Sequence, residues 1–203
     1  NVNKFKNNLK KNTLKLCKKN LKESTSYLIK IFNEGPKKNI VLLNYCKQTE
    51  DFSLWLQQLI AESLGKKNKG FLPSISKCPR DHHSLLQLYL DGPKDKIFYI
   101  FSGKNKFNYK LKNNLFSKKI SYLKNRKISE ILEAQKNSLL ASFKDKKIPY
   151  RNFKIDEFSE ETVSSLFMFF MIEVVLIGEM NNLNPFNQPA VEKVKVTTQK
   201  MLS

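Results

Sequence analysis

Residues Trp55–Pro93, WLQQLIAESLGKKNKGFLPSISKCPRDHHSLLQLYLDGP, begin as a helix and continue through a Gly- and Lys-rich loop into a second helix. The first helix is predicted because good helix formers fill it and because its side chains recur at intervals of three and four residues. The recurring residues are Leu54, Gln58, Ala61, Leu59 and Glu62. We expect this helix to end near Gly65, since glycine commonly follows the last turn of a helix.

Two titratable groups stand at element ends in this stretch. Glu62 lies in the last predicted turn, where a carboxylate can be partly desolvated and still reach a cleft. Asp81-His82-His83-Ser84 opens the second helix, with Asp81 or Ser84 as its cap. A carboxylate and an imidazole are the minimal equipment for proton transfer at neutral pH. On spacing alone, the simpler reading of a solvated Glu and a surface His pair is favoured.

Three motifs resemble, in the same order, those of the phosphoglucose isomerase (glucose-6-phosphate isomerase) family. The first is Q-Q-L-x-A-E-S-x-G-K from Gln57, and the second is D-x-H-S-x-x-Q-L-x-x-x-G-P from Asp81. The third is NPFNQPAVEKVK, Asn184–Lys195. Three motifs in the right order are far more specific than one. The resemblance runs from about residue 13 onward and corresponds to the C-terminal half of such an enzyme.

The resemblance implies a role for each matching residue. Glu62 matches the base that shuttles a proton through a cis-enediol between glucose 6-phosphate and fructose 6-phosphate, and His83 matches the histidine that assists ring opening. Lys195 matches the lysine that acts on the ring oxygen. Gln58 and Gln188 match substrate-binding glutamines, Gln188 on the phosphate side. The family works without a cofactor, as a homodimer in which His83 would reach the neighbouring subunit's site.

Several positions depart from the family pattern without removing a catalytic group. They are Cys78, His82, Asn187 and the pair Lys193-Val194. The family's Ser/Thr phosphate loop and its arginine in a G-G-R context are nowhere in the 203 residues. Because the chain starts at Asn1, not Met, we expect a fragment with a helical lead-in at 1–34 from a missing N-terminal half. Because the phosphate loop and the arginine are missing, we expect this chain to be inactive alone.

The formal net charge of +19 would ordinarily suggest nucleic acid or an anionic membrane as partner. Lysine supplies nearly all of this charge and is spread over every segment, whereas the arginines are only Arg80, Arg126 and Arg151. Because base readout favours arginine, we expect a Lys- and Asn-biased surface that attracts an anionic sugar phosphate, and no nucleic-acid partner. A basic nucleic-acid-binding protein and a catalytically inactive sugar-phosphate-binding module remain the alternatives.

The cysteines and histidines do not form a metal or disulfide pattern. Cys17, Cys46 and Cys78 are odd in number and lack CxxC spacing, so we expect neither a disulfide framework nor a zinc site. Asp81 and His82 are adjacent and point apart, and no third ligand follows at metal spacing. Free cysteines favour the reducing cytoplasm as the location.

Two apolar segments could suggest a membrane. The run Leu166–Gly178 is too short for a span and contains Glu173, so we expect a buried core helix or a subunit-interface helix. The lysine-rich lead-in is an amphipathic helix whose apolar stripe we expect to pack on the domain. That stripe holds Leu14, Cys17, Leu21, Leu28 and Ile31. We therefore expect no membrane partner.

The whole chain alternates strand and helix patterns, which predicts an open, mostly parallel α/β sheet with helices on both faces and helical N- and C-terminal segments. The resemblance implies the flavodoxin-like sugar isomerase domain, at 35–182. Such sheets bind ligands at the carboxyl ends of their strands, where we expect Glu62 and His83. The predicted strands are Asn39–Cys46, Lys96–Ser102 and Tyr150–Ile155, and the predicted helices include Ser84–Leu90, Ser129–Lys144 and Glu160–Asn181.

Some details are also predicted. Residues Lys66–Arg80 are expected to form a loop, and Lys104–Lys127 receives no assignment. In helix 129–144, the inward residues are predicted to be Ile131, Leu132, Ala134, Leu139 and Leu140. The segment 183–203 is predicted to be a C-terminal helix that completes the site. Its first turn holds Pro189, its pocket-lining face holds Gln188 and Lys195, and its anchors are Val191 and Val194.

Overall fold

The computed structural model describes residues 2–16, 19–35, 38–104, 109–112 and 117–203. Cys17 and part of the Lys104–Lys127 connection, both named above, lie outside the described residues. The chain divides into two compact units. The helical unit comprises Asn1–Lys38, Leu54–Pro73 and Ser159–Ser203, and the sheet unit comprises Asn39–Ser53 and Ser74–Phe158. The predicted division at 1–34, 35–182 and 183–203 stays a prediction.

The strands form one open sheet in the order β2-β1-β3-β4. The strands are β1 (Asn39–Asn44), β2 (Leu72–Lys77), β3 (Lys96–Gly103) and β4 (Tyr150–Ile155). β1 pairs in parallel with β3, and β3 pairs in parallel with β4. The predicted open parallel α/β fold is therefore confirmed, with β1, β3 and β4 within two residues of their predicted bounds.

The central strands are buried on both faces, as predicted for parallel strands. Every residue of β1 after Asn39 is buried, and so is every residue of β3 between its two ends. One face packs with helices α4 (His82–Asp91) and α5 (Ile128–Asp145). The buried cluster on this face contains Val41, Leu43, Tyr45, Phe98, Ile100, Leu139 and Phe143.

Strand β2 corrects the prediction that Lys66–Arg80 is a loop. The Leu72 N–H donates to the Lys38 carbonyl at 2.7 Å, and the Cys78 N–H donates to the Asn44 carbonyl at 2.7 Å. The segment was missed because Pro73 and the polar residues that follow weaken the strand pattern. A proline is tolerated in β2 because β2 lies at an edge of the sheet.

Helix α3 (Glu50–Leu64) ends one residue before Gly65, as predicted. Its buried face, however, is not the one on which the prediction rested, because Leu54 is 58% exposed. The buried apolar residues are Phe52, Leu56, Ile60 and Leu64. Spacing of three and four occurs on both faces of this helix, so the period identifies the helix but packing partners decide which face is buried.

Helix α5 shows a similar correction. Leu139 is buried as predicted, whereas Ala134 is exposed. Lys136 is buried instead, only 4% exposed, and its ammonium lies 2.8 Å from both carboxylate oxygens of Glu133. A lysine can occupy such a position because its stem packs with apolar groups while its charge is paired.

The helical unit contains α1 (Val2–Leu16), α2 (Lys19–Glu34), α6 (Glu160–Met180) and α7 (Pro189–Leu202), together with most of α3. The stripe residues Leu21, Leu28 and Ile31 are buried, as predicted. Ser159 caps α6 by accepting a hydrogen bond from the Thr162 N–H at 3.2 Å. Aromatic contacts add to the packing, with the Trp55 and Phe167 rings 4.3 Å apart.

Helix α6 is longer than the apolar run within it. Among the described helices it alone is long and apolar enough, by length and composition, to cross a membrane, with a mean hydropathy of 1.9. From the sequence, the apolar run Leu166–Gly178 was predicted to be too short to cross a membrane. The helix that contains this run is long enough, so its length does not exclude a membrane span. Within the helical unit, α6 buries Phe170, Val174 and Ile177, and the buried carboxylate of Glu173 accepts a hydrogen bond from Ser24 at 3.2 Å.

The sheet core predicts a large effect of Phe143→Ala. Phe143 is fully buried and its ring centroid lies 4.6 Å from that of Phe98. We expect the free energy of unfolding to fall by about 3–5 kcal/mol, measured by urea denaturation. The matched control is Phe186→Ala, because Phe186 is 78% exposed and its loss should cost less than about 0.5 kcal/mol. Equal losses would contradict the packing described here.

Candidate active site

Glu62 lies in the last turn of α3, within the helical unit. Its carboxylate oxygen Oε1 accepts a hydrogen bond of 3.1 Å from the Gln58 amide, one helical turn earlier. Both side chains are exposed. The prediction that Glu62 is partly desolvated is therefore wrong for the described chain. The bond orients the carboxylate, because it fixes one oxygen and leaves the other available to accept a proton or a hydrogen bond.

A tight turn follows Glu62 and leads back along the end of α3. Lys67 and Asn68 have φ values of 52° and 58°, and Gly70 has a φ of 132°. A Cβ on Gly70 would lie 2.9 Å from the Cα of Gly65, so only glycine allows this approach. From this turn, the Lys66 ammonium donates a hydrogen bond of 2.5 Å to the Asn184 carbonyl. The Lys67 ammonium donates one of 3.1 Å to the Asn182 carbonyl.

These segments line an open cavity of about 820 Å³ within the helical unit. Its size is that of a small-molecule site. The lining residues are Ala61, Glu62, Gly65, Lys66, Lys67, Asn68, Lys69, Leu183, Asn184, Asn187, Gln188, Pro189, Ala190 and Val191. The structure thus brings Glu62 together with Gln188, two predicted site residues that are distant in the sequence.

Gln188 stands at the cap position of α7, with Pro189 at the first helical position, as predicted. The Gln188 side chain makes no capping hydrogen bond, so its amide remains available to a ligand. The cavity combines the Glu62 carboxylate with three lysines from the turn at 65–70. The pKa of Lys66 is lowered, mainly by desolvation, while the Glu62 charge opposes that effect. The cavity is therefore suited to a polar, anionic ligand.

Lys195 lies further along α7 and outside the cavity lining. Its ammonium pairs with the Glu192 carboxylate at 2.8 Å, and both side chains are exposed. Val191 and Val194 were predicted to anchor α7, but they are 42% and 65% exposed. That prediction is wrong for the described chain, because α7 buries none of its residues there.

The two neighbouring histidines at the start of α4, in the sheet unit, have different surroundings. His83, the predicted site residue, is exposed. His82 is half-buried and its Nε2 lies 2.6 Å from the Tyr45 hydroxyl. Burial lowers the pKa of His82, and the Asp81 charge opposes that shift. Sequence reasoning missed this Tyr45–His82 pair, although the doubled histidine was a signal that one imidazole faces inward.

The partly buried thiol of Cys78 packs against the core cluster that contains Tyr45. Burial raises the pKa of Tyr45 far above its ordinary value. Burial also raises the pKa of Cys78 to about 12. Because the thiolate is the nucleophilic form, Cys78 stays a protonated, unreactive thiol at neutral pH.

Asp81 occupies the predicted cap position of α4, but its side chain does not cap the helix. The carboxylate accepts hydrogen bonds from the Lys77 N–H at 2.8 Å, the Arg80 guanidinium at 2.7 Å and the Ser76 hydroxyl at 3.3 Å. The hydrogen bond from Arg80 is the main cause that lowers the pKa of Asp81. Asp81 thus fixes the turn before His82. Within the described ranges, no group of three or more His, Cys, Asp and Glu side chains is placed to hold a metal ion.

No protein-family model matches this sequence. Two similar curated proteins are named glucose-6-phosphate isomerase. That of Methanocaldococcus jannaschii is 33% identical over 166 residues, which cover 81% of this chain and 41% of the relative. That of Mycoplasmopsis synoviae is 35% identical over 158 residues, which cover 76% of this chain and 37% of the relative.

Two solved structures share the fold. A hypothetical protein from Thermus thermophilus matches with a TM-score of 0.75 and 24% identity, over 87% of this chain and 43% of the other. A glucose-6-phosphate isomerase from Chlamydia trachomatis matches with a TM-score of 0.72 and 16% identity, over 88% of this chain and 37% of the other. The chain thus spans about two fifths of the length of the curated relatives, and over that part it is similar to proteins named glucose-6-phosphate isomerase.

Proposed function

We propose that this chain is the catalytic half of an enzyme that interconverts glucose 6-phosphate and fructose 6-phosphate. The observation that carries the proposal is that Glu62 and Gln188, from two separate family motifs, line one cavity. The name shared by the curated relatives supports the same reaction. The chemistry needs no cofactor, because a single base can move the proton between adjacent carbons.

In the proposed mechanism, the Glu62 carboxylate removes the C2 proton of the open-chain aldose. The C2–H electron pair forms a C1–C2 double bond, and the C1 carbonyl oxygen takes up a proton from water to give a cis-enediol. Glu62 then returns its proton to C1, where the electron pair of the double bond forms the C1–H bond, while the C2 hydroxyl gives its proton back to water and becomes the ketone. A positioned base of this kind contributes about 10²–10⁴ to the rate. Gln58 supports this role because it hydrogen-bonds one Glu62 oxygen.

The substrate must first open its ring, a step that we assign to Lys195 and His83. The Lys195 ammonium would donate to the ring oxygen while His83 assists from the neighbouring subunit of a homodimer. The Lys195–Glu192 pair does not prevent this, because an exposed ion pair contributes only about 0–1 kcal/mol and exchanges easily. Gln188 would donate its amide N–H to the phosphate, without competing for the transferred proton.

The activity belongs to the complete enzyme, since the chain spans about two fifths of its relatives' length. We propose that the remaining part supplies the phosphate loop and the arginine that this sequence lacks, and that this chain alone is inactive. We further propose a cytoplasmic location without nucleic-acid or membrane partners. The free thiols Cys46 and Cys78 are in keeping with a reducing compartment.

A coupled assay of a chimera would test this function. In the chimera, this chain replaces the matching segment of the Methanocaldococcus jannaschii enzyme, and formation of fructose 6-phosphate is followed. Turnover supports the isomerase. Sugar-phosphate binding without turnover would instead indicate the inactive binding module. Nucleic-acid affinity that falls steeply with salt, without sugar-phosphate protection, would indicate the basic nucleic-acid-binding protein.

The first prediction concerns Glu62→Gln in the active chimera. We expect kcat to fall at least about 10³-fold with KM little changed, because the amide keeps the size of the side chain but cannot accept a proton. Glu179→Gln is the control, since it removes an exposed carboxylate from another helix of the same unit. Wild-type turnover by Glu62→Gln would sink the assignment of the base.

The second prediction concerns the subunit that provides His83. If His83 acts in the neighbouring subunit, mixing the inactive Glu62→Gln and His83→Ala proteins should restore part of the activity. Some heterodimers then contain one site with both intact residues. Subunit exchange is verified by mass spectrometry. If the subunits exchange and no activity returns, His83 either acts in the site of its own subunit or takes no part in the reaction.

The third prediction concerns the pH dependence of stability through His82. Free histidine titrates near pH 6.5, and burial lowers the pKa of His82 in the folded chain. Between these pKa values the unfolded chain binds more protons, so stability rises with pH. The contribution is complete above about pH 6.5 and is lost as the pH falls toward the folded pKa.

Urea denaturation of this chain between pH 7 and pH 5 measures that dependence, and NMR titration of the His82 imidazole measures its pKa directly. His82→Leu should flatten the slope of stability against pH, whereas His83→Ala, which removes an exposed imidazole, should retain it. An unchanged slope in His82→Leu would show that His82 is not the group responsible.

A further inference from the structure

Two lysines of the turn after Glu62 bind backbone carbonyls rather than carboxylates. The Lys66 ammonium donates to the Asn184 carbonyl at 2.5 Å, and the Lys67 ammonium donates to the Asn182 carbonyl at 3.1 Å. Both contacts join the end of α3 to the connection between α6 and α7, inside the helical unit. Neither lysine has been given a role in the proposed mechanism.

The connection that receives these bonds is already partly fixed by the end of α6. The Leu183 N–H donates to the Gly178 carbonyl at 2.9 Å, and the Asn182 N–H donates to the Glu179 carbonyl at 3.1 Å. Asn182 has a φ of 55°, so this is a Schellman ending with asparagine in the left-handed position. The carbonyls of Asn182 and Asn184 lie beyond the helix ladder and therefore need other donors.

The segment between Asn184 and Gln188 depends on the same connection. The Asn184 side-chain oxygen accepts a hydrogen bond of 2.9 Å from the Phe186 N–H, which forms a local turn. Pro185 is buried and packs on α6. A Cβ added to Gly178 would lie 3.2 Å from the Cβ of Pro185. Gln188 follows directly, so the position of Asn184 sets where the Gln188 amide enters the cavity.

We propose that Lys66 and Lys67 form a two-point clamp that positions Gln188 relative to Glu62. They are positioning residues, because they act on the substrate through the backbone of Asn182–Gln188. The clamp rests on the proposed function of Glu62 and Gln188 as base and substrate ligand. A carbonyl bound by an ammonium is a charge-assisted hydrogen bond, stronger than a neutral one. Two such bonds hold the turn and the cap of α7 at one separation.

A simpler role for these lysines would be to supply positive charge. Lys69 allows the two roles to be separated, because it lines the same cavity. None of the hydrogen bonds seen in the described part of the chain joins the Lys69 ammonium to the α6–α7 connection. Lys69→Met thus removes one charge from the cavity and leaves the clamp intact. Lys66→Met and Lys67→Met each remove the same charge and one bond of the clamp.

The first experiment needs no activity and uses this chain as it is. Amide hydrogen exchange is measured at Asn182, Leu183 and Phe186, whose N–H groups report on the connection. We expect exchange about three- to tenfold faster in Lys66→Met and Lys67→Met, as for the loss of one hydrogen bond, and unchanged exchange in Lys69→Met. Unchanged exchange in both clamp variants would overturn the clamp.

The second experiment measures kinetics in the active chimera. Lys66→Met and Lys67→Met should each lower kcat/KM about tenfold, and Lys66→Arg should recover part of the loss because it restores a donor. Lys69→Met should lower kcat/KM less than about threefold, through charge alone. An equal loss of kcat/KM in all three methionine variants would show that the lysines act through their charge and would overturn the clamp. A chimera with no wild-type turnover would instead refute the proposed function, while the exchange result would still decide whether the clamp exists.

Discussion

The double-sided burial of β1 and β3 is the constraint on which the rest of this chain depends. A parallel strand exposes no face to water and cannot return by a hairpin, so each strand needs a crossover and each face a cover. The chain meets this requirement by alternating strands and helices from Asn39 to Met180. The positions of Glu62 and His83 follow from this alternation. His83 lies at the start of α4, after the carboxyl end of β2, as expected. Glu62 lies at the end of α3, before the amino end of β2, so the expected position at the carboxyl ends of the strands is wrong for Glu62.

The sequence predicted those features that repeat over many residues. Strands β1, β3 and β4 and helices α3, α5 and α6 appear near their expected bounds, because a long apolar run or a helical period integrates many weak preferences. The sequence did not predict the features that depend on tertiary packing partners. Strand β2 contains Pro73 and survives because it lies at an edge, and the buried face of α3 is centred on Leu56, not on Leu54. Local spacing could not distinguish those two faces.

The candidate site shows the same division. Motif resemblance identified Glu62 and Gln188, and the fold brings them to one cavity. Resemblance could not identify Lys66 and Lys67 as bridging residues, since their acceptors are backbone carbonyls, which any sequence possesses. The buried Tyr45–His82 pair was equally hidden, because the family motif does not require a histidine at position 82 and nothing local marks Tyr45 as its partner.

Gly178 shows that residues outside the candidate site also limit which substitutions this chain can accept. It lies in α6, buried beneath Pro185, where even a methyl group would lie 3.2 Å from the proline ring. A larger residue would push the connection outward, and with it the asparagine turn and the start of α7. Divergence among homologous chains should therefore be restricted at this helix position almost as strictly as at the candidate site residues Glu62 and Gln188, although Gly178 does not line their cavity.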